Sequence, residues 1–263
     1  MGVRERRQRE REELRRAILE TARGIAAAEG WAAVTIRRVA DKIEYSPPVI
    51  YEHFGSKEEI VIALFRQGFR ELLEEMRAAR KAQSDRPVEA FFAIARAYWA
   101  FSVAHPEMHL GIHGETAFEA CAPRSPHARA ADGSSVSHRP FDEVHDREEW
   151  LRFFGSRTAE IPADEPFPET REIFVTVRDA LEQALGDRAG DLESLSWKVV
   201  TLWAAVHGLV TLAMAGMIPN GRKTGAELVV KIGRDLLAAW RAEETPWRPD
   251  AARESMRVKS PAR

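Results

Sequence analysis

The chain is poor in the features that would settle its class at once. It has one cysteine, Cys121, so an intrachain disulfide framework is excluded and a reducing, cytoplasmic setting is expected. No uninterrupted apolar run reaches the roughly 18 residues that a membrane span needs. The opening MGVRERRQRERE is too charged for a secretory signal. Neither sign of charge dominates: 39 Lys and Arg face 41 Asp and Glu, a formal net of −2. That balance argues against a generic polycation, but a sequence-specific DNA binder needs only one local basic surface. Catalytic signatures are missing too. The chain has no phosphate-cradling Gly-rich loop, no GxSxG and no HExxH, and the HPEMH at 105–109 places its acid and histidines wrongly for a zinc hydrolase. No catalytic residue and no cofactor are expected, and Cys121, with no activating neighbour, reads as incidental.

What the chain has in quantity is helical periodicity, at a length that suits one or two domains with full cores. The most informative stretch is 35–54, TIRRVADKIEYSPPVIYEHF. Ile36, Val39, Ala40 and Ile43 share one helical face, with Thr35 as N-cap. A second short helix opens at Ser46, again a capping residue, with Pro47 at its first position, where the missing N–H costs nothing. Val49, Ile50 and Phe54 form its inward face. Two short helices joined by a tight turn make a helix-turn-helix, whose second helix enters the major groove of DNA.

Ile50-Tyr51-Glu52-His53-Phe54 followed by Ser56-Lys57-Glu58-Glu59-Ile60 resembles the signature of the TetR family of bacterial transcriptional regulators, and Thr35, Val39-Ala40 and Ser46 stand where that family has them. One departure is Glu44, in a turn position where the family usually has Gly, a residue for which positive φ is easy. Farther on, Trp203-Ala204-Ala205-Val206-His207-Gly208 resembles a Trp-x-x-x-His-Gly pattern in the C-terminal domain of one TetR subgroup. The resemblance implies an all-α fold, with a three-helix DNA-binding domain followed by a helical domain that binds an effector and dimerises.

Residues 1–12 read as a flexible, charged arm in which Arg4, Arg6, Arg7, Arg9 and Arg11 either reach DNA or are simply solvated beside Glu5, Glu10 and Glu12. Residues 13–60 form the helix-turn-helix domain. The helix from 57 to about 82 serves as a connector over 61–85, with Ser56 and Glu59 at capping-box spacing. A break at Ser84-Asp85-Arg86-Pro87 opens a regulatory and dimerisation domain over 86–243. There, 87–104 is apolar all round and is expected to be enclosed by other helices. A weaker helix follows to about 120. Helices are expected at 169–185, 192–217 and 224–240, the last two pairing with their copies as a four-helix dimer interface. Residues 121–168 mix Pro, Ser, Gly and charge irregularly, as a lid or a passive insertion with a short helix near 147–154. The tail 244–263 is expected to be disordered.

Candidate DNA-facing residues are Thr35, Arg37, Arg38, Ser46, Pro47, Pro48, Val49, Tyr51, His53 and Lys57. Tyr51 and His53 offer donors to phosphate, while Pro47, Pro48 and Val49 can make only apolar contacts such as one with a thymine methyl. No Arg, Asn or Gln lies in the second helix, so base reading falls to Arg37 or Arg38, to backbone groups or to DNA shape. Lys57, in a helix first turn, opposes the dipole unless a phosphate is near; the resemblance implies that it contacts the DNA backbone. Phe92, Trp99, Phe118, Phe174, Trp203 and His207 are candidates to line an effector pocket, although such aromatics also serve as plain core. His105, His109 and His113 recur every four residues and give an alternative, a metal-responsive sensor. The expected function is a homodimeric repressor released from a double-stranded DNA operator by a small molecule, with activation as a further alternative.

Overall fold

The computed structural model describes residues 2–113 and 168–243. Its elements are helices α1 (Val3–Glu29), α2 (Ile36–Lys42), α3 (Pro47–Tyr51), α4 (Lys57–Lys81), α5 (Pro87–Ala104), α6 (Pro106–His113), α7 (Pro168–Leu185), α8 (Leu192–Met214) and α9 (Gly221–Ala242), with 3-10 turns at Trp31–Ala33 and Gly186–Arg188. The fold is all-α, with no strand among the described residues. Phe118, Cys121, the 121–168 insertion with its expected short helix, and the 244–263 tail lie outside the described residues.

The chain divides into two compact units. The first holds residues up to Glu71, with α6. Its core is Ile18, Ala22 and Ile25 of α1, Val39 of α2, Ile50 of α3, Phe54, and Ile60, Leu64 and Phe65 of α4. Helix α1 starts at Val3, so the arm expected at 1–12 is the first third of a long helix. That part carries no apolar stripe, but i,i+4 pairs support it: Arg6 with Glu10 at 3.5 Å and Gln8 with Glu12 at 2.7 Å. Trp31 organises the opposite end. Its ring packs on Phe65 at 4.9 Å between centroids, and its Nε1–H donates to the Glu107 carbonyl of α6 at 2.7 Å. Arg23 of α1 joins the same corner, donating to Glu71 at 3.0 Å and to Glu107 at 3.4 Å.

The second unit is built from the end of α4 with α5, α7, α8 and α9. Helix α5 buries nine residues over most of its circumference, from Ala90 to Ser102, as its all-round apolar character predicts. Helix α9 approaches α5 through glycines: a Cβ on Gly225 would stand 1.9 Å from the Trp99 ring, and one on Gly233 would stand 3.2 Å from Phe92. Helix α8 is long and apolar enough, by length and composition, to cross a bilayer. Here it is a helix of the unit, with Ser194, Ser196 and Lys198 buried and the Lys198 ammonium donating to the Ala189 carbonyl at 3.3 Å and the Ser194 hydroxyl at 3.2 Å. Gly208, midway along α8, has nothing within 4 Å of where a Cβ would stand.

Candidate nucleic-acid interface

The α2–turn–α3 segment follows from its residues one by one. Thr35 caps α2, its hydroxyl accepting from the Arg38 N–H at 3.2 Å. The helix ends in a Schellman closure: the Tyr45 N–H reaches the Ala40 carbonyl at 3.0 Å and the Glu44 N–H reaches that of Asp41 at 3.4 Å. This closure needs a left-handed residue, and Glu44 supplies it at φ 61°. A residue with a Cβ is strained there by about 1–2 kcal/mol. Glu44→Gly is therefore expected to raise the stability of this domain by roughly 1 kcal/mol and Glu44→Val to lower it. Urea unfolding midpoints check this, and a lower midpoint for the glycine variant refutes the strain.

Pro47 and Pro48 begin α3 after Ser46, which makes no side-chain cap bond. Ile50 and Phe54 point inward, at 0% and 2% exposure, and anchor the helix. Between them Tyr51 stands out at 55% exposure. Thr35, Arg37, Ser46 and Pro48 are exposed as well, while Pro47 and Val49 are half-buried. Tyr45, absent from the sequence-derived set, is 48% exposed on the turn beside them. An aromatic residue directly after the left-handed position was the available signal. The result is a surface with two tyrosines, a free hydroxyl donor at Ser46, and the Arg37 guanidinium.

Two expected members are committed elsewhere, and a third is partly withdrawn. Arg38 forms an ion pair with Glu29, which raises the guanidinium's pKa and lowers that of the carboxyl. Lys57 turns back from the first turn of α4, and its ammonium donates to the Trp31 carbonyl at 3.2 Å. His53 is half-buried. Desolvation first, then the charges of Arg11 and Arg15, lower its pKa, so the ring is neutral at pH 7. The capping box expected at Ser56 forms with its return bond displaced: Glu59 N–H donates to Ser56 at 3.4 Å, and the Glu59 carboxylate accepts from Gly55 N–H at 2.8 Å.

Among its described residues the second unit has a narrow, half-open apolar cavity of about 40 Å³, lined by residues that include Met76, Ile94, Tyr98, Val199, Trp203 and Val206. Trp203 stacks on His207 at 5.5 Å with ring planes 13° apart, and Phe174 packs on Trp203 at 5.3 Å. The Tyr98 hydroxyl lies 2.6 Å from His207 Nδ1. Burial pushes the Tyr98 phenol above its ordinary pKa, against a smaller opposing effect of a Ser102 hydrogen bond, so the hydroxyl stays protonated, and the His207 tautomer sets which of the two donates. Of the aromatics read from sequence, Trp203 lines the cavity. Phe174 and His207 form the cluster around it. Phe92 and Trp99 instead face the glycines of α9.

The histidine row does not gather into a metal site among the described residues. His105 Nδ1 lies 3.0 Å from the Arg23 guanidinium, a contact that takes up one of its two ring nitrogens. His109 is buried at 4% exposure, and the His113 side chain lies outside the described residues.

Residues 18–64 match the family model for bacterial regulatory proteins of the tetR family. The first unit thus carries a TetR-type helix-turn-helix domain. Over 88 residues the chain is 32% identical to the HTH-type transcriptional activator FasR of Mycolicibacterium smegmatis, an overlap of 31% of this chain and 40% of FasR. Over 93 residues it is 31% identical to the HTH-type transcriptional regulator BetI of Rhizobium meliloti, covering 35% of this chain and 45% of BetI. The matches span less than half the length of these relatives. The structure of a protein with unknown function from Rhodococcus sp. RHA1 aligns over 86% of this chain and 94% of its own, at a TM-score of 0.56 and 19% identity, which shows a shared fold.

Proposed function

We propose that the chain is a DNA-binding transcriptional regulator that works as a homodimer and responds to a small molecule. One observation carries the reading: an anchored α3 that buries Ile50 and Phe54 while exposing Tyr51, in a segment matching the tetR family model. The DNA-facing set in this reading is Thr35, Arg37, Tyr45, Ser46, Pro48 and Tyr51, with Arg38, Pro47, Val49, His53 and Lys57 at its margin. Lys57 spends one of its three ammonium donors on the Trp31 carbonyl. A single short helix buries too little surface for tight specific binding, and a two-fold dimer on paired half-sites removes that limit. The bare Gly208 on α8 supports close approach of a second copy, since a glycine inside a helix costs about 1 kcal/mol and no described residue stands within 4 Å of where its Cβ would be.

The effector in this reading is largely apolar and enters beside Trp203, where Tyr98 and His207 form the polar end. Placement in the Trp-x-x-x-His-Gly subgroup draws support from the Trp203–His207 stack. Cavities that hold small ligands run to about 300–1,000 Å³, so the one between these helices must widen to admit it. A ligand with higher affinity for the widened form shifts the population toward it. Helix α4, running from the DNA-binding domain into the second unit, is the proposed link. Release of a repressor is the favoured direction, and the protein works in the cytoplasm, where its operator is.

Selection from random double-stranded DNA with the purified chain tests this. A palindromic site should be enriched, and affinity should fall steeply with salt. Tyr51→Ala should weaken binding about tenfold, the order of one lost contact at a specific interface. Enrichment of no sequence by well-folded protein would overturn the reading.

A further inference from the structure

Helix α3 has an unusual difficulty at its C-terminal end. It is five residues long, and two of those are prolines. Within the segment, Glu52 N–H bonds to the Pro48 carbonyl at 3.2 Å, and the His53 and Phe54 N–H groups share that of Ile50 at 2.9 Å. The Glu52 and His53 carbonyls stand at the negative end of the helix dipole. Both are met from α1. The Arg15 guanidinium donates to the His53 carbonyl at 2.9 Å, and Arg11 reaches the Glu52 carbonyl at 3.4 Å. Arg15 also lies over the Phe54 ring, 4.0 Å from its centroid. One planar side chain therefore closes the backbone end and covers the side chain that anchors the helix. Arg11 and Arg15 are one helical turn apart, so a single face of α1 presents both.

We propose that Arg15, assisted by Arg11, is a positioning residue for DNA recognition: it caps α3 in trans and sets the angle at which Tyr51 is offered, rather than contacting phosphate itself. Because α3 buries only Ile50 and is followed by one further anchor, Phe54, a cap at its far end controls its tilt. The lowered pKa of His53 comes first from its burial and then from the same two guanidiniums, which a charged imidazole would sit against. The inference rests on the DNA-binding reading above.

Salt dependence separates a cap from a phosphate contact. Loss of a phosphate contact reduces the slope of log affinity against log salt by about one, whatever the sequence. Loss of a positioning residue leaves the slope intact and lowers the ratio of specific to non-specific binding. On the wild-type operator, Arg15→Ala is expected to weaken specific binding about tenfold at unchanged slope, with non-specific binding the same. Arg15→Lys is the sharper variant, because it keeps the charge and removes the flat, forked guanidinium. A cap predicts that Lys weakens specific binding nearly as much as Ala, whereas a phosphate contact predicts near-wild-type affinity. A reduced slope for Arg15→Ala, or full affinity for Arg15→Lys, overturns the proposal.

Amide hydrogen exchange on DNA-free protein supplies a second readout that stands apart from DNA binding. Exchange at Glu52 to Phe54 should accelerate severalfold in Arg15→Ala while core amides of α1 and α4 keep wild-type rates. Unchanged exchange there overturns the cap even if DNA binding is confirmed. If wild-type protein enriches no operator, the functional reading fails, and accelerated exchange would still establish the cap as a structural device.

Discussion

Trp31→Ala is expected to destabilise the DNA-binding unit by about 3–5 kcal/mol, the range for deleting a large buried aromatic. The side chain is 7% exposed and packs on Phe65. Its removal also strips the Glu107 carbonyl of its indole donor, and a buried carbonyl left alone costs a further 1–3 kcal/mol unless water replaces the partner. Such a loss is of the order of a whole domain's stability. Trp31→Phe separates the terms, since it keeps much of the contact with Phe65 and loses only the hydrogen bond. Its expected cost is roughly 1–3 kcal/mol. Amide hydrogen exchange at core residues of the first unit, such as Ile18, Val39 and Leu64, in increasing denaturant measures both. A cost for Trp31→Ala no larger than for Trp31→Phe would show that the ring packing carries little.

Gly225→Ala is the second large effect, and its sign is the point of interest. By intrinsic propensity, alanine in the middle of α9 should gain about 1 kcal/mol over glycine. The new methyl would stand 1.9 Å from the Trp99 ring, a distance that no carbon pair tolerates. Trp99 is 4% exposed, so moving its ring aside disturbs packed neighbours. Overpacking of this kind costs about 1–3 kcal/mol or more, so the net result should be destabilisation. Trp99→Leu in the same chain should recover much of the loss, because it withdraws the ring atoms that clash. Denaturation of the four members of this cycle gives the coupling directly. Additive costs in the double variant would mean that α9 and α5 separate at little expense.

Much of the helical layout was legible because its signals are local. Pro87 at a helix start and the all-round apolar character of 87–104 place α5 at the bounds the structure has. The core of the helix-turn-helix was legible as well: Val39, Ile50 and Phe54 are buried as their spacing requires. The first third of α1 was not, because its support comes from charge pairs and not from an apolar stripe. The family resemblance marked residue 44 only as a turn position where glycine is usual, and the structure shows Glu44 at positive φ there despite its side chain. What spacing could not give was where the tips of long side chains go. Arg38 and Lys57 sit at positions suited to DNA, yet their charged ends meet Glu29 and the Trp31 carbonyl, partners 9 and 26 residues away in the chain. Nor does an aromatic residue announce whether it faces a cavity or a neighbouring helix. For Trp99 and Phe92 the answer lay in α9, where Gly225 and Gly233, eight residues apart, leave room for their rings.

The two prolines of α3 bear on the heat of DNA binding. Each fixes its own φ near −65°, so two of the five residues have little backbone freedom to lose at the moment of docking. That ordering is incurred once, when the chain folds. They also remove two N–H groups from the end of the helix that would otherwise attract phosphate, and the Val49 N–H is already bonded to the Ser46 carbonyl at 3.0 Å. Association should therefore show a small entropic penalty and a correspondingly modest enthalpy, with its heat-capacity change set by apolar surface rather than by coupled folding.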